Sequence, residues 1–138
     1  SKKTVSNKEL DAIVAATALQ VTPAYKLVDY VINTGNIITS SAQITLEKDG
    51  ENKQSIGIGD GPIDAAFTTI EQIVGHHYEL DDFQIHSVTE GREATGSALV
   101  KLRANGKLYS GNGVSTDIIG ASIRAYINAI NKIIFEEI

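Results

Sequence analysis

Apolar residues alternate with polar ones along several short segments of this chain, a pattern typical of strands that bury one face. Two of these segments have apolar side chains at every second position: Ala42, Ile44 and Leu46 in the first, and Ala98, Val100 and Leu102 in the second. Asp49-Gly50 and Asn105-Gly106 follow them, and both dipeptides favour the type I′ turn of a two-residue hairpin. The pattern predicts antiparallel strands with these side chains facing inward.

Two longer segments have the three-to-four-residue spacing of an amphipathic helix. The first follows Pro62, and its apolar stripe comprises Ile63, Ala66, Phe67, Ile70, Ile73 and Val74. The second runs towards the C-terminus with a stripe of Ile119, Ile123, Tyr126, Ile127, Ile130 and Ile134. Before the first strand, Ser6 and Glu9 fit a capping box, so we predict a linker or helical arm over residues 1–24.

The same order of segments occurs twice. The segment Y-K-L-V-D-Y-V-I from Tyr25 recurs as Y-E-L-D-D-F-Q-I from Tyr78, an offset of 78 − 25 = 53 residues. A-Q-I-T-L-E from Ala42 recurs as A-L-V-K-L-R from Ala98, and a G-x-G segment follows each copy. Internal repetition of this kind indicates two copies of one structural unit.

We therefore predict an α+β fold of two pseudo-symmetric β-β-β-α units, with antiparallel sheets and helices packed on them, preceded by the short arm. Repeat one covers about 25–77 and repeat two about 78–138, within one domain over residues 25–138. Each three-stranded sheet with one helix has a single face that it can bury well, so two units, or two chains, are expected to stack. This favours a homodimer.

Composition limits the kinds of partner and site that this chain can have. The 138 residues carry a net charge of −5, which disfavours nucleic acid and anionic membrane surfaces as partners. There is no cysteine, which excludes disulfides and thiolate metal sites. The sequence has no leader pattern and no apolar run near the roughly 20 residues that span a bilayer, so we expect a cytoplasmic protein. No methionine is present, even at position 1, so we expect a piece of a longer chain.

The first G-x-G segment is the strongest candidate for a binding site. Gly59, Asp60 and Gly61 precede a predicted helix that begins near Pro62. Glycines let a ligand approach the backbone, and the free amides at a helix start suit a carboxylate or phosphate. The alternative is an ordinary strand-to-helix turn, because short glycine patterns often match by chance.

The second G-x-G segment, Gly111-Asn112-Gly113, is predicted to repeat this turn, with Ser115 or Thr116 as the helix cap. Asp64 and Asp117 would each fall in the first turn of a helix, where a carboxylate favours the positive end of the helix dipole. They are either caps or, together with Asp60, candidates to pair with a ligand ammonium group.

The three histidines do not predict a catalytic or metal site. His76 and His77 are adjacent after Gly75, and neighbouring loop residues rarely ligate one metal. His86 precedes Ser87 in a strand, but no nucleophile elbow accompanies the pair. We therefore predict no catalytic residue and no metal ligand, and expect hydrogen-bonded or solvated histidines.

Four strings in order resemble the C-terminal regulatory (allosteric, dimerisation) domain of 2-isopropylmalate synthases, and citramalate synthases carry a similar domain. The strings are Y-x-L-x-D-Y-x-x-x-T/S-G, G-D-G-P-I-D-A, H-S-V-T-E-G-x-E-A-x-G and G-N-G-x-S-T-D-I-I-x-A-S-x-x-A-Y-I-N-A-I-N-K. The resemblance extends from about Tyr25 to the end.

The resemblance implies an allosteric domain that binds leucine for feedback inhibition of branched-chain amino-acid biosynthesis, or isoleucine if the parent is a citramalate synthase. Such synthases condense acetyl-CoA with a 2-keto acid on a metal-dependent TIM barrel, too long to fit in this chain. By the resemblance this chain is therefore not itself an enzyme and holds no cofactor. Its partners are the effector, a second copy, and the catalytic barrel of the parent, which uses a divalent metal and acetyl-CoA.

The resemblance also implies an effector site that combines the two repeats. The effector-binding residues it suggests are Gly59, Asp60, Gly61, Ile63 and Asp64 from repeat one and His86, Val88, Ala94 and Ala98 from repeat two. Three alternatives stay open: a small enzyme with His86 and Asp64 as an acid/base pair, a dimerisation module without a ligand, and a parent synthase that is insensitive to feedback or answers to another amino acid.

Overall fold

The computed structural model describes residues 23–90 and 93–137, and the side chains of residues 88–90, 93 and 94 lie outside the description. The elements in chain order are β1 (Lys26–Asn33), β2 (Ser40–Lys48), β3 (Glu51–Gly59), α1 (Pro62–Val74), β4 (Glu79–Glu90), β5 (Glu93–Ala104), β6 (Lys107–Ser115) and α2 (Ile118–Glu137). The order β-β-β-α occurs twice, which confirms the predicted α+β fold. Apart from residues 23 and 24, the predicted helical arm lies outside the described residues.

The strands form two antiparallel sheets, β1-β2-β3 and β4-β5-β6, with β2 and β5 in the middle. The first strand of each sheet has a bulge at the same place, between Leu27 and Asp29 and between Leu80 and Asp82, so the two bulges are 80 − 27 = 53 residues apart. The hairpin turns lie 105 − 49 = 56 residues apart, at Asp49 and at Asn105. Repeat two therefore has three additional residues between the bulge of its first strand and its hairpin turn.

The hairpin turns confirm the prediction from Asp49-Gly50 and Asn105-Gly106. All four residues have positive φ: 54° and 80° in the first turn, 52° and 78° in the second. This is the left-handed conformation that both central positions of a type I′ turn require. The turns fix the register of each hairpin and hence which side chains face inward.

The core lies between the sheets and the helices. The alternating residues of the middle strands are buried as predicted, with exposures of at most 3%. Phe67 of α1 stacks on Tyr126 of α2, with ring centroids 4.2 Å apart, and meets Phe83 of β4 edge-on at 5.5 Å. Phe83 of repeat two thus packs on the helix of repeat one, so the two units share one core.

Glycines on β6 allow α2 to lie directly on the sheet. A Cβ atom on Gly111 would lie 2.1 Å from the carbonyl oxygen of Ala125, and one on Gly113 would lie 2.2 Å from that of Ala121. The prediction that Gly111, Asn112 and Gly113 form the turn into the helix is therefore wrong. These residues lie inside β6. Positions 111 and 113 are glycine because α2 packs closely on them, not because the chain turns there.

Helix α2 has 20 residues, and an 18-residue window within it has a mean hydropathy of 1.2, enough by length and composition to span a membrane, but 56% of that window is buried inside the protein. Between Ile119 and Ile134, the exposed positions of α2 are Arg124, Asn128 and Lys132, which recur every four residues on one stripe. The apolar composition of α2 is therefore that of a helix packed against a sheet and a second helix.

Candidate functional site

The corner of repeat one joins β3 to α1 through Gly59, Asp60 and Gly61. Gly61 precedes the helix with φ 109°, a conformation that favours glycine, and Pro62 occupies the first helical position. The Asp64 carboxylate turns back and accepts a hydrogen bond from the Asp60 amide at 2.9 Å. A Cβ atom on Gly59 would lie 2.5 Å from that carboxylate, so glycine leaves room for it. The predicted turn at this corner is confirmed.

The geometry of the first corner suits an anionic group. Pro62 has no N–H and the Ala65 amide donates to the Gly61 carbonyl, so the amides of the first turn without a partner in the helix are those of Ile63 and Asp64, at the positive end of the α1 dipole. Asp60 and Asp64 are exposed beside these amides, and Ile63 is half-buried against the core. Main-chain amides that can donate to a carboxylate, acidic side chains that can pair with an ammonium group, and an apolar side chain thus lie within one short segment.

The corner of repeat two joins β6 to α2. Asp117 caps this helix, since its Oδ1 accepts a hydrogen bond from the Gly120 amide at 2.6 Å. The prediction of Ser115 or Thr116 as the cap, with Asp117 inside the helix, is wrong. The helix begins at Ile118, and Asp117 directly before it is the cap, because its short carboxylate reaches the free amides of the first turn.

Asp117 also connects the two repeats. Its Oδ2 accepts a hydrogen bond from the Tyr30 hydroxyl of β1, on the other sheet, at 3.4 Å. Burial and the Asp117 carboxylate raise the pKa of Tyr30 above its ordinary value of 10.0, so the hydroxyl stays protonated at neutral pH and acts as the donor. A Cβ atom on Gly120 would lie 2.6 Å from this hydroxyl, so glycine again leaves room for a polar group.

The two corners are equivalent at an offset of 56 residues. The Ala65 amide donates to the Gly61 carbonyl and the Ala121 amide donates to the Asp117 carbonyl, both at 3.1 Å. Since 121 − 65 and 117 − 61 both equal 56, Asp117 is the counterpart of Gly61. The corners share a backbone but place their carboxylates differently: inside the helix in repeat one, before it in repeat two.

An open cleft of about 370 Å³ lies at the second corner. Its lining is mostly apolar and comprises Ser87, Thr95, Gly96, Thr116, Asp117, Ile118 and Ile119. Hydroxyl groups and one carboxylate therefore face the same space as two isoleucines. This combination fits a small molecule that has both an ammonium group and an apolar part.

The predicted site residues of repeat two do not share one wall. His86 is exposed, whereas Ala98 is buried with 3% exposure beneath α2. His86 pairs with Ser97 and Ala98 pairs with Ile85, so the two lie on opposite faces of the sheet. Val88 pairs with Thr95 and Ala94 with Thr89, but the side chains of Val88 and Ala94 lie outside the description.

Glu71, near the end of α1, connects the helices and the segment between the repeats. It accepts a hydrogen bond from the Tyr126 hydroxyl of α2 at 2.7 Å. It also accepts one from the Tyr78 amide at 3.4 Å, and its carboxylate lies 2.9 Å from His77 Nδ1. Burial and the hydrogen bond to Glu71 raise the pKa of Tyr126 above its ordinary value of 10.0. His77 thus lies within hydrogen-bond distance of Glu71.

A metal site is not evident in the part of the chain that the structure describes: it contains no group of three or more His, Asp or Glu residues placed to hold an ion. The polar groups described at the first corner are two carboxylates and main-chain amides, and those at the second are hydroxyls, one carboxylate and a main-chain amide. Such groups recognise an organic ligand by hydrogen bonds and charge.

A family model described as the LeuA allosteric (dimerisation) domain matches residues 4–134. The chain belongs to this family. The 2-isopropylmalate synthase of Ruminiclostridium cellulolyticum is 41% identical to it over 135 residues, 98% of this chain and 26% of the relative. Those of Carboxydothermus hydrogenoformans and Prochlorococcus marinus are 40% and 33% identical, with 98% and 99% of this chain covered and 27% and 26% of the relatives.

The LeuA allosteric domain therefore accounts for almost the whole chain, which confirms the resemblance to the regulatory domain of 2-isopropylmalate synthases. The chain spans about a quarter of the length of these curated relatives.

The sequence named Asp117 as either a cap or a partner of a ligand ammonium group, and the structure shows the cap, but sequence reasoning missed the cleft beside it. The signal that could have located this second corner is the pair of hairpin turns, because their offset of 56 residues makes Asp117 the counterpart of Gly61. Aspartate directly before the apolar pair Ile118-Ile119 is in addition a typical start of a helix.

Proposed function

We propose that this chain is the regulatory domain of a 2-isopropylmalate synthase and binds leucine for feedback inhibition of branched-chain amino-acid biosynthesis. The observation that carries the proposal is the allosteric-domain match over residues 4–134 together with relatives named 2-isopropylmalate synthase. The parent is then a cytoplasmic acetyl-CoA-dependent acyltransferase. Its catalytic barrel, outside this chain, holds the divalent metal and is the domain's partner together with a second copy.

The proposed site is the corner of repeat one. The amides at the start of α1 receive the carboxylate of the amino acid, and Asp60 or Asp64 pairs with its ammonium group. Ile63 contacts the aliphatic side chain. The exposure of both aspartates and the free first-turn amides support this assignment.

Calorimetry and thermal unfolding with leucine, isoleucine and valine test the proposal. Leucine is expected to release or absorb heat and to stabilise the domain by about 2.7 kcal/mol at a hundred times its Kd. Shape alone discriminates leucine from isoleucine by about 1–3 kcal/mol. A selective response to isoleucine would instead indicate a citramalate synthase domain, and no response to any of the three would leave a dimerisation module.

A matched pair of variants locates the site. Asp64→Asn removes the carboxylate of the first corner, and Asp117→Asn removes that of the second while keeping a good helix cap. We expect Asp64→Asn, or Asp60→Asn if Asp60 is the partner of the ammonium group, to weaken leucine binding about tenfold, or about 1.4 kcal/mol, and Asp117→Asn to bind like the wild type. The reverse result would assign the ligand to the cleft of repeat two.

Inhibition requires that leucine bind more tightly to the inactive arrangement of the parent enzyme. Couplings of about 1–3 kcal/mol are typical, and if leucine lowers the affinity for the keto acid, linkage requires the keto acid to weaken leucine binding by the same factor. Measuring leucine affinity in the parent synthase with and without its keto acid checks this reciprocity. Equal affinities would contradict coupling through the affinity for the keto acid, and a kcat that leucine does not lower either would contradict an allosteric role.

A further inference from the structure

One side chain of α2 holds the main chain at the point where it enters the domain. The Tyr25 amide donates a hydrogen bond to Asn131 Oδ1 at 2.9 Å, and Asn131 Nδ2 donates one to the Tyr25 carbonyl, also at 2.9 Å. One carboxamide thus pairs with both main-chain groups of one residue, across 106 residues of sequence. We call this pair of hydrogen bonds the Asn131 clasp.

Tyr25 needs the clasp because it lies outside the sheet. The pairing of β1 with β2 begins where Lys26 meets Glu47, so Tyr25 is not part of that ladder. Tyr25 is 4% exposed, and a buried main-chain group without a partner costs free energy. The clasp therefore fixes residue 25 to α2 where the sheet does not hold it.

The equivalent place in repeat two is held less tightly. Tyr78 is the counterpart of Tyr25 at the offset of 53 residues, and it too directly precedes the first strand of its sheet. Its amide donates to Glu71 of α1 at 3.4 Å, which is longer than either bond of the clasp. The tighter hold by a helix side chain is therefore at the entrance to the domain and not between its two repeats.

Two helices connect the clasp to the corner proposed to bind the effector. Helix α1 begins at that corner and carries Glu71 near its other end, where Glu71 accepts the hydrogen bond from the Tyr126 hydroxyl of α2 at 2.7 Å. Asn131 lies 131 − 126 = 5 residues further along α2. Rigid helices joined by hydrogen bonds can carry coupling between distant sites, and this series of contacts extends from the first corner to Tyr25.

We infer that Asn131 couples the effector site to the rest of the parent synthase, because it holds the chain that enters at Tyr25 rigidly to α2. The inference rests on the proposed function, in which the catalytic barrel lies outside this chain. In a C-terminal regulatory domain the barrel precedes residue 25, so the main chain joins the two at Tyr25. Movement of α2 reaches the barrel along this connection when residue 25 moves with the helix. Asn131 acts through Tyr25 and is a positioning residue.

Asn131→Ala and a matched control, Asn128→Ala, test the inference. Asn128 lies on the same helix, and its Nδ2 donates to the Asn112 carbonyl at 2.6 Å, so the control removes a similar contact inside repeat two. The leucine Kd is measured by calorimetry on the 138-residue chain, and inhibition by saturating leucine is measured on the parent synthase. Asn131→Asp and Asn128→Asp keep the size of each side chain and remove its donor group, with the same change of charge, and they decide the question if an alanine variant does not fold.

We expect Asn131→Ala to change the leucine Kd of the 138-residue chain less than twofold, because the first corner stays intact. The activity of the parent without leucine should likewise change less than twofold. Allosteric couplings typically correspond to factors of about 5–150, and in this variant the factor by which leucine lowers the activity should fall below about two. Asn128→Ala should keep the wild-type factor.

A wild-type synthase that leucine does not inhibit would refute the proposed function itself. If leucine inhibits the wild type and Asn131→Ala alike, this inference alone is refuted. It is also overturned if Asn131→Ala weakens leucine binding to the 138-residue chain as strongly as it relieves inhibition, because the clasp then only maintains the fold. Equal relief of inhibition by Asn128→Ala would overturn it too, since the effect would then not be specific to Tyr25.

Discussion

At the scale of single residues, the glycines of the third strands determine how closely each helix lies on its sheet. Gly57 leaves room for the Thr69 hydroxyl, which donates to the Ala42 and Ala65 carbonyls. Gly113 faces the backbone of α2 directly, where no side-chain rotation can relieve a clash. The main-chain contact is the tighter of the two, because backbone atoms move only with the whole helix.

Replacing Gly113 by alanine tests this contact. The added methyl group would lie 2.2 Å from the Ala121 carbonyl oxygen, so α2 must shift. Overpacking of this kind typically costs about 1–3 kcal/mol in the free energy of unfolding, measured by urea denaturation. Gly35→Ala is the control, since its methyl group meets only Ile38 at 3.4 Å and should change stability by less than about 0.5 kcal/mol. Equal losses in both variants would contradict the close contact.

The buried hydroxyl of Tyr126 makes stability depend on alkaline pH. Its folded pKa lies above the unfolded value of 10.0, so its stabilising contribution is complete below pH 10 and decreases as the pH rises beyond it. One such group contributes a slope of about 1.4 kcal/mol per pH unit in that range. We expect the free energy of unfolding of Tyr126→Phe to decrease less steeply with pH above pH 10 than that of the wild type. An unchanged slope would mean that Tyr126 ionises freely in the folded protein.

At the scale of elements, Glu71 holds together three parts of the chain. Its carboxylate receives hydrogen bonds from α2 through Tyr126 and from the segment before β4 through Tyr78. Since Tyr126 is 1% exposed, its hydroxyl has little access to water as an alternative acceptor. One acidic side chain near the end of α1 thereby fixes where repeat two begins relative to repeat one.

Glu71→Ala is expected to lower the free energy of unfolding by about 1–3 kcal/mol, because it leaves the buried Tyr126 hydroxyl without its acceptor. Glu71→Gln keeps an acceptor oxygen and should lose less. Combining Glu71→Ala with Tyr126→Phe should cost less than the sum of the two single changes, which urea denaturation of the four proteins measures. Strict additivity would show that the hydrogen bond does not contribute.

Most of the fold could be predicted because its signals are local. The alternation of Ala42, Ile44 and Leu46 indicates one buried face, and Asp49-Gly50 fixes a hairpin through the conformation of two residues. The helical stripes are equally local, since each depends on neighbours three or four positions away. The first corner was predicted for the same reason, as Pro62 directly follows its glycines.

The second corner could not be predicted from the same pattern. Gly111 and Gly113 resemble Gly59 and Gly61 in sequence, but they are glycines because α2 packs over them, which is a tertiary contact. The hydrogen bond from Tyr30 to Asp117 spans 87 residues of sequence and has no local signal. Alternation along a strand could have separated His86 from Ala98, but only once their register was known.

At the scale of the whole molecule, each repeat's first strand contacts the other repeat's helix. Tyr30 of β1 reaches the start of α2, and its counterpart Phe83 of β4 packs on Phe67 of α1. The exchange is reciprocal, so neither unit completes its core alone. The two units are therefore expected to be thermodynamically one domain.

A single cooperative transition is the expected result of that exchange. Urea unfolding followed by far-ultraviolet circular dichroism and by tyrosine fluorescence should give coincident curves. Each repeat contributes strands, a helix and tyrosines to these signals, so independent units would give separate midpoints. Two resolved transitions would contradict the shared core.

The two corners have one backbone and two arrangements of charge, which matters for how this domain can evolve. A duplicated unit holds two copies of the same framework, and a substitution at Asp117 leaves Asp64 and its hydrogen bond unchanged. If the corners bind ligands as proposed, mutation can give one corner a new specificity while the other keeps its own. Under the proposed function, a lineage could then change its effector without passing through a form of the protein that binds none.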